Sequence, residues 1–213
     1  MKTVAPDDSG IAEALEVIAG GGVVAYPTET VYGLAADPFS EEALDALFRI
    51  KARDAAHPVL LIVADASQAL PLAHEVSAGT AACMKAFWPG PLSLLLPAVP
   101  GIPKRLLDDA GHVCVRCPGH ELARELCRRR VGPLTSTSAN LSGMPPARSA
   151  KEACLPGVAL VLDGGTLDEL APSTVYDPVS GTVLRAGPIT LDMILEACGG
   201  STADPGECRK ELP

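Results

Sequence analysis

With 213 residues, 47% of them apolar, the chain can form one domain, or one with a small appendage, around a sizeable core. Three Phe, three Tyr and one Trp are the only aromatic residues, so that core is built mainly of Val, Leu, Ile and Ala. A formal charge of -9 excludes a protein that coats nucleic acid through phosphate contacts, but not one that holds a nucleotide in a local basic pocket. No stretch approaches the roughly 18 uninterrupted apolar residues of a membrane span, and MKTVAPDDSG lacks the apolar segment of a signal peptide. Seven cysteines, an odd number, do not suggest a disulfide framework in a chain of this size; they fit a reducing compartment, and the expected location is the cytoplasm.

In chain order, Ile11, Leu15 and Ile18 mark one face of a helix over 8–19, which Gly20-Gly21-Gly22 ends. Val23-Val24-Ala25-Tyr26 is a buried-strand candidate stopped by Pro27. Ser40 can cap a helix running to Lys51, with Glu41 and Glu42 in its first turn, Arg49 and Lys51 in its last, and Leu44, Leu47 and Phe48 as its apolar stripe. Residues 59–63 read as a strand, 77–87 as a helix ending before Trp88-Pro89-Gly90-Pro91, and 92–96 and 113–116 as strands. A helix over 120–130 precedes a strand candidate at 134–138 that runs straight into polar residues. Strands at 158–162, 174–176 and 183–185 and a helix near 190–197 complete the domain, expected over 1–198, and 199–213 read as a loose tail. Helices interleaved with short strands make this an α/β chain. Several strands lie too close together for helical crossovers, so the sheet is expected to be mixed.

GxxxxGK[ST], GxGxxG, HExxH and GxSxG are all absent, so any ATP is not held by a P-loop. The single CxxC, Cys114 to Cys117, lacks the second pair or spaced histidines that zinc requires. On a strand, positions three apart face opposite ways, which favours packing over chemistry for these thiols.

Four segments place polar groups at strand ends, where α/β proteins usually do chemistry. Pro27 to Leu34 (PTETVYGL) breaks a strand at a proline and follows it with two hydroxyls, a carboxylate and a phenol; the hydroxyls can bind a carboxylate or ammonium group or merely cap the next turn. Lys51 and Arg53 are either a solvated helix end complementing the macrodipole or a polyphosphate clamp. Thr135 to Gly143 (TSTSANLSG) holds five hydroxyls and an amide in nine residues, too polar for a buried strand; it suits a solvated loop or phosphate and ribose oxygens. Finally, Ser173 and Arg185 can meet across a hairpin, unless Arg185 is an edge-strand surface charge.

Taken together and in order, PTETVYGL, KAR at 51–53, WPGPLS at 88–93, VCVRCPGH at 113–120, STSANLSG at 136–143, PSTVYD at 172–177 and LRAGPI at 184–189 resemble the YrdC-like threonylcarbamoyl-adenylate synthase family. The resemblance covers most of residues 10–190. It implies a twisted mixed sheet with flanking helices and a concave central cavity. It also implies an enzyme, a nucleotidyltransferase that joins L-threonine, bicarbonate and ATP into threonylcarbamoyl-AMP and pyrophosphate. A partner threonylcarbamoyl-transferase would pass the group to tRNA, with only weak tRNA contact by this acidic chain itself.

Carried over by position, Lys51 and Arg53 become the catalytic phosphate cations, and His57, Ser138, Asn140 and Arg185 further ATP contacts. Thr30, Arg116, Ser136 and Ser173 become threonine contacts, with Arg116 on the carboxylate, and His120 lines the cavity. Mg²⁺ would arrive on the ATP, with no protein metal site and no prosthetic group. The chain departs from the commoner family residues at Asp54, His57, Ile62 and His112. The competing expectation is a non-catalytic or differently specific relative that binds a nucleotide or RNA. A third is a carbamoyl-transfer domain of the same fold, which usually belongs to a much longer chain.

Overall fold

Side-chain caps start most of the helices where the sequence places them. Asp7 accepts from the Gly10 amide at 2.9 Å and begins α1 (Asp8–Ala19), and Ser40 accepts from Ala43 N at 3.2 Å and begins α2 (Glu41–Lys51). A short α3 (Ala66–Ala69), capped by Asp65, was not expected. Ser77 begins α4 (Ala78–Phe87), α5 spans Glu121–Arg130, and Thr190 begins α6 (Leu191–Ala197). The computed structural model describes residues 1–52, 59–168 and 171–198, so Arg53, Asp54, His57 and the tail expected at 199–213 lie outside the described residues.

Ten strands are described: β1 (Lys2–Val4), β2 (Val24–Pro27), β3 (Tyr32–Ala35), β4 (Leu60–Ile62), β5 (Leu92–Pro97), β6 (His112–Arg116), β7 (Leu134–Ser138), β8 (Leu160–Leu162), β9 (Thr174–Asp177) and β10 (Thr182–Arg185). They form one sheet in the order β1-β8-β2-β3-β7-β4-β6-β5-β9-β10. Four parallel pairs (β1-β8, β2-β8, β4-β6, β5-β9) and five antiparallel ones make the sheet mixed, as expected from strands too closely spaced for crossovers.

Two strands were not foreseen. β1 is only three residues long and largely exposed. β3 hides in PTETVYGL: Tyr26 pairs with Gly33 and Pro27 with Tyr32, making a hairpin of what read as one strand and a polar turn. A Cβ on Gly33 would lie 3.0 Å from the Tyr26 ring, which only glycine's bare backbone permits.

The sheet has an apolar cluster on each face. Leu34, Leu61, Val63, Leu92, Leu94, Val113 and Val115 pack with Leu44, Leu47 and Phe48 of α2 and Cys83 and Met84 of α4. On the other face Val24, Tyr26, Ile62, Leu134, Leu160 and Leu162 meet Ile11, Ala14 and Ile18 of α1 and Leu122, Ala123, Leu126 and Cys127 of α5. Fully burying such aliphatic side chains contributes about 1.5–3 kcal/mol each.

The six cysteines among the described residues are thiols, and the Cys83 and Cys198 sulfurs, 3.2 Å apart, join α4 to the end of α6. The Arg128-Arg129-Arg130 run of α5 is neutralised in place: Arg128 pairs with Glu121 and Glu125, Arg129 with Glu125 and Asp8, and Arg130 with Asp37.

One residue sits in strained backbone without need. Val131 ends α5 at φ 59° and is 84% exposed, a left-handed position that disfavours a β-branched side chain. Val131→Gly is expected to stabilise the protein by about 1 kcal/mol, raising Tm by about 2–4 °C for a chain of this size. Thermal unfolding of the two proteins checks this, and an unchanged or lower Tm contradicts it.

Candidate active site

The strand register gathers the polar residues onto one side of the sheet. Ser138 lies opposite Gly33, Ser136 opposite Leu60, and Arg116 opposite Ile62. Cys114 lies opposite Leu95, and Ser93 opposite Val175. Because facing positions share a face and alternate positions repeat it, Ser136, Ser138, Arg116, Cys114 and Ser93 all share the face that carries α1 and α5.

Arg185 joins them through a bulge. Val183 pairs with Tyr176 but Arg185 with Val175, so two steps along β10 match one along β9. Val183 packs with the opposite cluster, whereas Arg185 turns to the polar face. There its Nε donates to Ser173 O at 3.0 Å and its Nη2 to Ser173 Oγ at 2.9 Å. Ser173, buried, in turn meets Ser93 Oγ at 3.0 Å. Arg185 is thus an exposed charge on the edge strand β10, as one alternative expected, but one anchored on Ser173. Although part of its side chain is exposed, burial pushes the Arg185 guanidinium below its usual range; the Cys114 thiol opposes this and the like charge of Arg116 adds to it. Two guanidiniums within electrostatic reach of each other favour an anion between them.

Lys51 is not a solvated helix end, because only 5% of it is exposed. Its Nζ donates to Ser138 O at 2.6 Å, Asn140 O at 2.8 Å and Asn140 Oδ1 at 2.5 Å. Ser138 Oγ also donates to Asn140 Oδ1 at 2.6 Å, and the Ser142 amide donates to Lys51 O at 3.1 Å. The end of α2 and the turn after β7 are thus one unit, joined across 87 residues of sequence.

The strand expected over 134–138 forms as β7, although the whole run 135–143 reads as too polar for a buried strand. β7 lies inside the sheet because its hydroxyls find partners there: buried Thr135 Oγ1 accepts from the Ala36 amide at 2.8 Å, and Ser136 Oγ accepts from Tyr26 O–H at 2.7 Å. Burial raises the Tyr26 phenol well above its ordinary value, so it stays protonated and donates to Ser136.

In the turn between β2 and β3 the hydroxyls do what the bland alternative required. Thr28 Oγ1 donates to Val31 O at 2.6 Å and accepts from the Val31 amide at 3.2 Å. Thr30 Oγ1 lies 3.1 Å from Thr28 Oγ1, and both residues are buried. The carboxylate of this turn has a different partner. Glu29 Oε1 accepts from Arg116 Nη2 and, at 2.7 Å, from the Gly119 amide. Arg116, 5% exposed, also donates from Nε to Gly90 O at 2.9 Å, so its fork is fixed from two sides.

Arg116, Ser136, Ser138, Asn140, Lys51, Ser173 and Arg185 therefore sit on, or border, one face, and Thr30 joins them through the turn that holds Glu29. Arg53 and His57 lie outside the described residues. The sequence reading gave no site role to Ser93 or Tyr26, noted Glu29 only as a carboxylate of the first segment, and took Cys114 as a packing thiol. Ser93 and Tyr26 lie inside or beside motifs that were noticed, but nothing local marks them. Burial raises the Cys114 thiol to about 12 and the Cys117 thiol to about 11, against the smaller lowering by nearby arginines. Cys117 donates instead to Ala64 O at 3.2 Å within the opposite cluster, so the two thiols do diverge. Among the described residues no three His, Cys, Asp or Glu side chains converge as a metal cluster. A separate cleft of about 450 Å³, lined by Phe39, Leu72, Ile102 and Pro133 among others, contains none of the site residues.

Residues 16–187 match the Sua5/YciO/YrdC family model, whose description reads "Telomere recombination". The chain belongs to this family. Within it, the Stenotrophomonas maltophilia protein named threonylcarbamoyl-AMP synthase is 38% identical over 184 residues, covering 81% of this chain and 96% of that one. The Coxiella burnetii protein of the same name is 35% identical over 178 residues, covering 82% and 96%. Among solved structures, P. abyssi Sua5 complexed with L-threonine superposes with a TM-score of 0.85 at 33% identity, over 93% of this chain. This chain spans 60% of that larger Sua5. The Sua5/YciO/YrdC fold, a twisted and unclosed α/β sheet with flanking helices, is the one the sequence led us to expect. Among the described residues no helix is long and apolar enough to cross a membrane.

Proposed function

We propose that this chain is an L-threonylcarbamoyladenylate synthase that uses L-threonine, bicarbonate and ATP. The observation that carries this reading is buried Lys51 holding the Ser138–Asn140 turn at the end of β7, whose Ser138 shares a sheet face with the fixed Arg116 fork. The names of its relatives support it. In the reaction the amino group of threonine is carboxylated, and the carbamate oxygen then attacks the α-phosphorus of ATP. The α–β phosphoanhydride bond breaks, and pyrophosphate leaves with its electron pair. This makes the enzyme a nucleotidyltransferase.

Lys51 and Arg53 meet the negative charge that grows on the phosphates, where a preorganised cation is typically worth on the order of a hundredfold in rate. Ser138 and Asn140 hold the nucleotide beside Lys51, Arg185 adds a guanidinium from the bulged edge, and His57 contributes from the segment after α2. Arg116 takes the threonine carboxylate, with Thr30, Ser136 and Ser173 around the rest of the amino acid. Holding a labile carbamate against ATP is chiefly positioning, which suits groups held by hydrogen bonds at strand ends, as Arg116 and Lys51 are. Mg²⁺ rides on the ATP phosphates. The product passes to a partner threonylcarbamoyl-transferase that modifies tRNA. Any tRNA contact by this chain is weak, since its arginine run is already paired, and the protein acts in the cytoplasm as a domain over 1–198 with a tail over 199–213.

The test is pyrophosphate release from ATP by the pure protein, with threonine and bicarbonate each present or omitted. Release that requires both is the expected result. Release without threonine would point to another acceptor, and ATP binding without release would favour a non-catalytic relative.

A further inference from the structure

The last helix is lightly held. Of the seven residues of α6 only Ile194 is buried, while Leu191 and Met193 are 40% and 41% exposed. An element with so little apolar burial opens at low free-energy cost. Its C-cap, Cys198, reaches across to α4. Cys198 Sγ lies 3.2 Å from Cys83 Sγ, 115 residues earlier in the chain, and donates to Gly79 O, one turn back on the same helix, at 3.4 Å. Cys83 is fully buried, and Cys198 is partly exposed. Cys117 and Cys127 differ from this pair, since each donates to a backbone carbonyl, Ala64 O and Ile62 O.

Sulfurs at this distance are in van der Waals contact, and a covalent bond needs about 2.05 Å. The closing movement is on the order of 1 Å and falls on a side chain at the end of a short helix. We propose that Cys83 and Cys198 are a site of reversible oxidation, taking a peroxide as co-reactant and closing into a disulfide that staples α6 to α4.

The two thiols have unlike roles in that step. Burial, with the thiol of Cys198 beside it, pushes the Cys83 thiol up to about 12, so near pH 7 it stays protonated and Cys198 is the residue that peroxide meets. The Cys198 thiolate attacks one peroxide oxygen, the O–O bond breaks and hydroxide leaves, giving a sulfenic acid. The Cys83 sulfur then attacks the Cys198 sulfur. The S–O bond breaks, and the Cys83 proton leaves with that hydroxyl as water. Two thiols lose two electrons, and one hydrogen peroxide is reduced to two waters. The segments so joined flank the site: α4 leads into the turn whose Gly90 O holds Arg116 Nε, and α6 follows the strand that carries Arg185. A cross-link over a long loop restricts the unfolded chain strongly, and this one spans 115 residues.

The test treats the full chain, wild type, Cys198→Ser and Cys83→Ala, with stoichiometric hydrogen peroxide and then caps free thiols with iodoacetamide. Digestion with trypsin and a glutamate-specific protease, without reductant, places Cys83 in fragment 76–85 and Cys198 in 197–207, apart from Cys208. The expected result is those two fragments joined, reversal by a phosphine reductant, and a Tm raised by roughly 5–15 °C. Peroxide should move the Tm of neither variant; Cys198→Ser, at a partly exposed helix end, carries this control if Cys83→Ala does not fold. Cys198 joined to Cys208, Cys198 stopped at a sulfenic or sulfinic acid with Cys83 alkylated, or wild-type thiols untouched by peroxide each overturn the proposal. A bond that leaves the Tm unchanged, or a rise that persists in Cys198→Ser, overturns the staple.

Discussion

Lys51→Met is expected to lower threonine-dependent pyrophosphate release by on the order of a hundredfold or more. Methionine keeps the length and apolar stem of lysine, so the packing of the last turn of α2 survives. What disappears is the ammonium that joins Ser138 O, Asn140 O and Asn140 Oδ1. Those acceptors lose a shared donor in a place where 5% of Lys51 is exposed, which costs about 1–3 kcal/mol of stability. The variant should therefore be both inactive and less resistant to denaturant, with a folded baseline still reached. A solvated helix-end lysine would change neither property by more than a few tenths of a kcal/mol. A wild-type rate together with an unshifted denaturation midpoint would sink the assignment.

Arg116→Lys should separate the two substrates. Lysine keeps the charge but not the planar fork, and a single ammonium cannot reproduce both the Nε donation to Gly90 O and the Nη2 contact to Glu29. The expected result is a KM for threonine raised by about 10- to 100-fold, since hydrogen bonds to charged groups are worth about 1.5–3 kcal/mol. The KM for ATP should stay within about threefold, because Lys51 and the Ser138–Asn140 turn do not touch Arg116 through any described contact. Steady-state kinetics with each substrate varied in turn decides it. Equal rises in both constants would show that Arg116 supports the whole face instead of one ligand.

How far the sequence could be read differs from element to element. Ser40 announces its helix because a cap and the amide it serves lie three residues apart, and in the structure Asp7, Ser77 and Thr190 cap theirs at the same spacing. The divergence of the two CxxC thiols was legible for the same kind of reason, as alternation along a strand is a local property. β3 was missed because Tyr32-Gly33-Leu34-Ala35 is short, contains a glycine and follows a polar turn, so neither propensity nor alternation marks it. β7 was legible as a strand over 134–138, but the partners of its hydroxyls were not: Thr135 is satisfied by Ala36, 99 residues away, and Ser136 by Tyr26, 110 away.

The same distinction divides the site. Its ingredients, the lysine after an amphipathic helix, the hydroxyl-rich turn and the late arginine, stand in the sequence as motifs in a recognisable order. Their states do not. That Lys51 is buried, that a bulge puts Arg185 on the polar face beside Ser173, and that Glu29 grips Arg116 with one oxygen and leaves the other unpartnered follow from strand register. From the sequence alone came the element types, the α/β class and the motif order, all set by neighbours a few residues apart. Only the tertiary structure decided which polar groups lose water and which charges meet, because desolvation and pairing depend on residues that register brings together from 87 or more positions away.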